Sequence, residues 1–225
     1  MILSPHPSRG RLTLVCFAVR EESKFFSKPD QIEGQGQDQV QVLVTGIGRK
    51  NAARALEHAL AKASPELVLT CGFAGGLRSG LPVGTVVYSE DEGTGLASVL
   101  SDLGAVPVCF HCSSRIATTA LEKQQLRETT GADVVEMESA VIRQFCRERK
   151  LPSATIRVIS DAADEDLPLD FNLLMTAQGD LQYHKLAWAL LRSPGKIPDL
   201  LRLHRQTLEA AQNLGRTLQE LVRRK

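Results

Sequence analysis

The stretch V-L-T-C-G-F-A-G-G-L-R-S-G-L-P-V-G-T-V-V, Val68 to Val87, decides the fold class of this chain. It begins with a short apolar, β-branched run of the kind that fills a sheet covered on both faces, and it ends in a second such run, Thr85 to Tyr88. Between them stand Gly72, Gly75 and Gly76. A glycine-rich connection after a buried strand reads in two ways. It is a tight turn, or it is a loop whose glycines take positive φ and leave bare N–H groups facing a ligand. Two phosphate-binding signatures are excluded. G-x-x-G-G opening toward a second strand is not the G-x-G-x-x-G turn into a helix, and no G-x-x-x-x-G-K-[ST] occurs.

Outward from this stretch, short apolar runs alternate with helical ones. Leu12 to Val19, Val40 to Thr45, Leu67 to Thr70, Thr85 to Tyr88, Val106 to His111, Val134 to Glu136 and Ala154 to Ile159 are the strand candidates. Asn51 to Ala63, Thr118 to Thr129 and Glu138 to Lys150 carry helical periodicity. The alternation predicts an α/β fold, a mixed β-sheet flanked by helices. Gln31 to Gln41 is polar and glycine-punctuated and reads as a surface loop.

With 225 residues, 43% of them hydrophobic, and no break in composition, the chain is expected to form one domain with a large core, residues 1–225. Ser4, Pro5, His6, Pro7 and Ser8 interrupt the N-terminus, so neither a signal peptide nor a membrane span is expected and the cytoplasm is the expected location. Five cysteines, an odd number, suit reduced thiols. Cys109-Phe110-His111-Cys112 is a C-x-x-C without a second pair, inside a run that reads as a buried strand, so no metal and no cofactor are expected.

The segment 185–225 holds nine Lys or Arg against three Asp or Glu, although the whole chain has a net charge of only +1. Leu200, His204, Leu208, Ala211, Leu214, Leu218, Leu221 and Val222 recur at helical spacing, which makes this a basic amphipathic helix. Such a helix packs on its own domain, on another subunit, or peripherally on an anionic membrane surface. Nucleic acid is not an expected partner, because aromatic residues make up 4% of the chain and none interleaves with the basic ones.

Three further segments follow in order: V-L-V-T-G-I-G-R-K-N-A-A-R-A from Val42, V-V-E-M-E-S-A-V from Val134, and I-R-V-I-S-D-A-A-D from Ile156. Together with A-G-G-L at Ala74 to Leu77, they resemble the purine nucleoside phosphorylase and nucleosidase superfamily over roughly Leu12 to Asn172. The wording is nearest to 5′-methylthioadenosine/S-adenosylhomocysteine nucleosidases and hopanoid-associated phosphorylases. The resemblance implies a nucleoside phosphorylase-like fold, a homo-oligomer of two or more chains, and cleavage of the N-glycosidic bond of a purine nucleoside, with adenine the expected base.

That reaction needs an acid at the base, a clamp for the ribose and a nucleophile. Asp161 matches the family's catalytic aspartate, beside Ser160 at the end of an apolar strand; on residue pattern alone the pair also reads as a helix N-cap. Glu138, with Met137 beside the sugar and Glu136 as a neighbour, matches the ribose clamp; E-M-E-S also reads as the acidic start of a helix. Glu22 falls where the nucleosidases carry the carboxylate that activates water, and Glu21-Glu22 also reads as an exposed helix start. Phosphate as nucleophile would instead need cations, for which Arg20, Arg49 and Arg157 are candidates. Gly75, Gly76, Phe73 and Ile116 complete the expected substrate site.

Two departures bear on the substrate. The segment between Val87 and Val106 is short for these enzymes, and Cys112-Ser113-Ser114-Arg115-Ile116 replaces the usual small and aromatic run beside the base. A 5′ side open to a bulky or lipid substituent is the expectation, with a catalytically silent nucleoside binder as the alternative.

Overall fold

In the computed structural model, residues 11–26, 38–176, 182 and 193–224 are described; Gln31 to Gln37 of the expected loop and residues 185–192 of the basic segment lie outside them. Eight strands among these residues form one sheet: β1 Leu12–Phe17, β2 Gln39–Val44, β3 Leu67–Gly76, β4 Val86–Glu90, β5 Val106–Pro107, β6 Phe110–Cys112, β7 Val134–Glu136 and β8 Ser153–Asp161. The order β2-β1-β3-β8-β4-β5 is parallel except for β4 against β8. β7 pairs antiparallel with the end of β3 and parallel with β6, so the sheet is mixed.

Strand alternation sorts the side chains into two layers. Leu14, Cys16 and Val68 pack against Ala52 and Leu56 of α2 (Arg49–Leu60) and against Ile142 and Cys146 of α5 (Ser139–Glu148). Val15, Phe17, Leu67, Leu69 and Cys71 face the other way. They meet Leu100 of α3 (Ala97–Asp102) and the long C-terminal helix α7 (Ile197–Arg224) through Ala210, Leu214, Leu218 and Leu221. α1 (Arg20–Ser23), α4 (Ala120–Thr130) and α6 (Phe171–Leu174) are the other helices. No helix among the described residues is long and apolar enough to cross a membrane.

Several expectations change. The glycine stretch is not a loop, because β3 continues through Gly72, Gly75 and Gly76. Of the three only Gly72 has positive φ, +148°. What they supply is room. A Cβ on Gly75 would lie 3.2 Å from Asp161 Oδ2, one on Gly76 would lie 3.3 Å from the Ala163 nitrogen, and one on Gly72 would lie 2.6 Å from Arg157 Nη1. The expected strand Val106 to His111 is two strands with different neighbours, β5 beside β4 and β6 beside β7. Asp133 divides them: Cys109 N–H donates to its Oδ2 (2.9 Å) and its own N–H donates to Cys109 O (2.8 Å). Cys109 is therefore exposed rather than buried.

The amphipathic helix divides into halves. Ala210, Ala211, Leu214, Leu218 and Leu221 are buried in the protein's own core, whereas Ile197, Leu201 and His204 are exposed. Burying a leucine side chain stabilises by roughly 1.5–3 kcal/mol, so removing three from the core to rest on lipid would cost several kcal/mol. Packing thus accounts for the second half.

Candidate active site

The parallel strands β1, β3 and β8 end side by side, and ligand crevices of α/β sheets form beyond such carboxyl ends. A cavity of about 250 Å³ lies there. Of the residues expected from the sequence, Glu22, Phe73, Gly75, Ile116, Glu136, Met137, Glu138, Ser160 and Asp161 all line it. Gly76 does not; it sits behind the wall, paired with Val134.

Asp161 owes its aim to an irregularity. Ala74 opposes Ile159 and Gly75 opposes Asp161, so Ser160 is left over on β8. In a regular strand Ser160 and Asp161 would face opposite sides; the extra residue turns both toward the cavity. No helix begins here, which removes the N-cap reading. Ser160 Oγ donates to Asp161 Oδ1 (2.6 Å), and Lys123 Nζ, on a fully buried side chain of α4, lies 2.6 Å from Oδ2.

A second group surrounds the buried guanidinium of Arg157, in the middle of β8. Its Nη2 lies 2.7 Å from Glu136 Oε2, 3.6 Å from Glu138 Oε2 and 3.2 Å from Thr70 Oγ1. Arg157 is thereby a structural cation of the acid cluster. Burial would weaken its charge, but Glu136, Glu138 and Glu22 outweigh that and raise its pKa further. Arg20 and Arg49 are exposed, and Arg49 donates to the Cys112 carbonyl.

The two glutamates of E-M-E divide the work. Glu136 Oε2 accepts from the N–H groups of Glu138 (3.0 Å) and Ser139 (2.7 Å), and its Oε1 accepts from Ser139 Oγ (2.7 Å). It caps α5 from outside the helix. Burial pushes its carboxyl up, but Arg157 and these donors win and hold it below the usual range. Glu138 begins α5 without using its side chain as a cap, and its Oε1 accepts from the Gly48 N–H (2.8 Å). Burial lifts its carboxyl to about 7 against the pull of Arg157, with the charges of Glu136 and Glu22 adding to the lift.

Glu22 is buried, not exposed as a helix start would be. Its Oε2 accepts from Ala18 N–H (2.8 Å) and Val19 N–H (3.1 Å), and its Oε1 accepts from Phe73 N–H (2.8 Å). Burial raises its pKa, with Arg157 and the three amides opposing. A carboxylate has about four acceptor positions, so one remains for a molecule in the cavity.

The sequence reading missed several residues here. Leu167, Phe171 of α6 and Leu203 and Thr207 of α7 line the cavity. Asn172 pairs both ways with the Ile116 main chain, its Oδ1 accepting from Ile116 N–H (2.9 Å) and its Nδ2 donating to Ile116 O (3.0 Å). Leu203 and Thr207 escaped notice because the stripe read from the sequence runs through Leu200, His204 and Leu208 instead. The short Val87 to Val106 connection contributes nothing to the cavity; it forms α3, whose Leu100 lies under α7. Among the described residues no group of three or more His, Cys, Asp or Glu could hold a metal.

The family model of the phosphorylase superfamily matches residues 30–111 and 105–192. A 5′-methylthioadenosine/S-adenosylhomocysteine nucleosidase of Glaesserella parasuis is 28% identical over 166 residues, covering 59% of this chain and 72% of its own. A nucleosidase of the same name from Staphylococcus aureus is 25% identical over 170 residues, 61% of this chain and 75% of its own. Among solved structures, futalosine hydrolase of Helicobacter pylori superposes with a TM-score of 0.69 at 14% identity, covering 96% of this chain and 98% of the other. The Colwellia psychrerythraea 5′-methylthioadenosine/S-adenosylhomocysteine nucleosidase, in complex with adenine, superposes with a TM-score of 0.67 at 20% identity, covering 96% of each.

Proposed function

The chain belongs to the phosphorylase superfamily, and from that premise we propose that it hydrolyses the N-glycosidic bond of a purine nucleoside with adenine as the base. One observation carries the reading: three carboxyl groups of different surroundings, Asp161, Glu138 and Glu22, line a single cavity beyond the strand ends. Asp161 protonates N7 of the base as the C1′–N9 bond breaks and its electron pair leaves with the base. Glu138 accepts from the ribose hydroxyls and steadies the positive charge that grows at the anomeric carbon. Glu22 takes a proton from water as the water oxygen bonds C1′.

Water is preferred over phosphate because of what surrounds Glu22. Its carboxylate occupies the amides of Ala18, Val19 and Phe73, the N–H donors an anion would use. A phosphate dianion beside Glu22 and Glu138 would be repelled. A phosphate-dependent phosphorylase of the hopanoid-associated type is the second reading, favoured by Arg20 and Arg49, which open the helices that follow β1 and β2. A silent nucleoside binder would have no chemical need for three acids. Leu167, Phe171 and Leu203 form an apolar wall that suits a bulky apolar 5′ substituent. The same reading takes the chain as a homo-oligomer in a single-domain form, with membrane contact restricted to the exposed start of α7. The test is a panel of purine nucleosides incubated with and without phosphate, with base release and the sugar product followed; no release from any nucleoside refutes the enzyme reading.

A further inference from the structure

Lys123 is the one fully buried lysine among the described residues, and its surroundings are unusual for a residue type that almost always reaches solvent. All three ammonium protons have acceptors: Asp161 Oδ2 at 2.6 Å, Ala162 O at 2.6 Å and Glu165 O at 2.7 Å. Lys123 does not line the cavity, so it meets Asp161 from behind. With Ser160 Oγ, itself on the cavity wall, donating to Oδ1, the carboxyl is held at both oxygens, and each oxygen keeps an acceptor position.

We propose that Lys123 is a positioning residue for the reaction, holding Asp161 in line with the purine ring and neutralising the carboxylate that remains once Asp161 has given up its proton. The inference rests on the hydrolytic reading above. As the C1′–N9 bond breaks, the O–H proton of Asp161 moves to N7 and leaves a negative carboxyl group in a site that already holds Glu22, Glu136 and Glu138. Arg157 serves those three, and its Nη2 lies within ion-pair distance of Glu136 and Glu138 but has no such contact with Asp161. Among the described residues, Lys123 is the cation in ion-pair contact with Asp161. An ammonium already fixed where charge develops needs no reorganisation during the step. The lysine also ties Asp161 to the turn at 162–165, which leads to Leu167 and thus joins the acid to the cavity wall.

A double-mutant cycle separates this role from one in folding alone. Lys123→Met and the milder Lys123→Gln are each made in the natural chain and in Asp161→Asn, with kcat, KM and melting temperature measured on a nucleoside from the panel. In the natural background both variants should lower kcat by about 10- to 100-fold while KM moves less than about threefold, with Gln the less damaging because it keeps a donor. In the Asp161→Asn background, the same changes should alter the residual rate by less than about threefold. Equal losses in the two backgrounds, or an unchanged kcat in the natural one, overturn the proposal. If Asp161→Asn itself turns over normally, the hydrolytic reading of Asp161 fails instead, and the two failures are told apart.

Discussion

Gly72 and Glu22 share one volume. A Cβ built on Gly72 would stand 2.7 Å from Glu22 Cδ and 2.6 Å from Arg157 Nη1, and φ at Gly72 is +148°. Any side chain there meets both a strained backbone and two buried charged groups. Gly72→Ala should therefore displace Glu22, lowering stability by about 1–3 kcal/mol and suppressing base release more than it weakens substrate binding. Denaturant unfolding and steady-state kinetics on the variant check this; a melting curve and kcat like those of the natural chain would sink it.

Asp161→Asn should reduce cleavage to a small residual rate, about 10²–10⁴-fold below that of the natural chain, and leave the fold intact, since the amide keeps the shape but delivers no proton. Circular dichroism and base release, measured together, decide it. Turnover within a few fold of the natural enzyme would assign the acid elsewhere.

Glu138→Gln should slow the reaction by about 2–4 kcal/mol, the magnitude of a lost electrostatic stabiliser. The pH dependence has a definite sign. A carboxyl raised from 4.5 to about 7 binds more protons folded than unfolded, so folding stability falls as pH rises from about 4.5 to 7. The loss is of order 3 kcal/mol at 1.36 kcal/mol per unit. Glu138→Gln should flatten that slope and gain stability relative to the natural chain above pH 7. Ribose binding runs the other way, because the carboxylate is the better acceptor: KM should improve as pH passes 7 in the natural chain and stay level in the variant. A variant whose stability slope matches that of the natural chain would show that Glu138 titrates normally.

If Glu22 activates water, base release proceeds without phosphate, yields the free ribose derivative and falls by about 10²–10⁴-fold in Glu22→Ala. Added phosphate leaves the natural enzyme's rate unchanged. A strict phosphate requirement with a ribose 1-phosphate product would instead make Arg20 and Arg49 the residues to change.

For the membrane, the informative variants lie at the start of α7. Truncation beyond Pro198 would delete Ala210 to Leu221 from the core and unfold the protein. Leu201→Glu, at a side chain 56% exposed, leaves the core untouched. The natural chain should sediment with anionic vesicles in a salt-sensitive way and Leu201→Glu should sediment less. Equal sedimentation assigns the whole helix to packing.

Apolar runs made the strands legible, and the matched segments brought the three carboxyl groups into view. What escaped the sequence depends on contacts between distant residues. Glycines disfavour strands, so continuation of β3 through Gly72 to Gly76 could not be read locally; the reason lies in Glu22, Arg157 and Asp161 across the site. α3 starts on a carboxylate from outside its own sequence, with Leu96 and Ala97 N–H donating to Glu90. Lys123 had no signal at all. Its helix offers Leu121 as the natural core residue, yet Leu121 is 63% exposed and the lysine is inside, because the acceptors that satisfy it belong to Asp161, Ala162 and Glu165.

Helix α7 carries Leu203 and Thr207 on the cavity wall and, further along the same rod, the Leu214 and Leu218 anchors in the core. At 1.5 Å per residue, Leu203 and Leu214 are about 16 Å apart along the axis. A stiff lever of that length converts a change at its fulcrum into a change of aperture at its tip. Replacing Leu214 or Leu218 by a larger or smaller apolar residue should thus retune which 5′ groups are admitted, although neither side chain touches the substrate. Such a result would place part of the tolerance for substrate size in the hydrophobic core, away from the cavity lining.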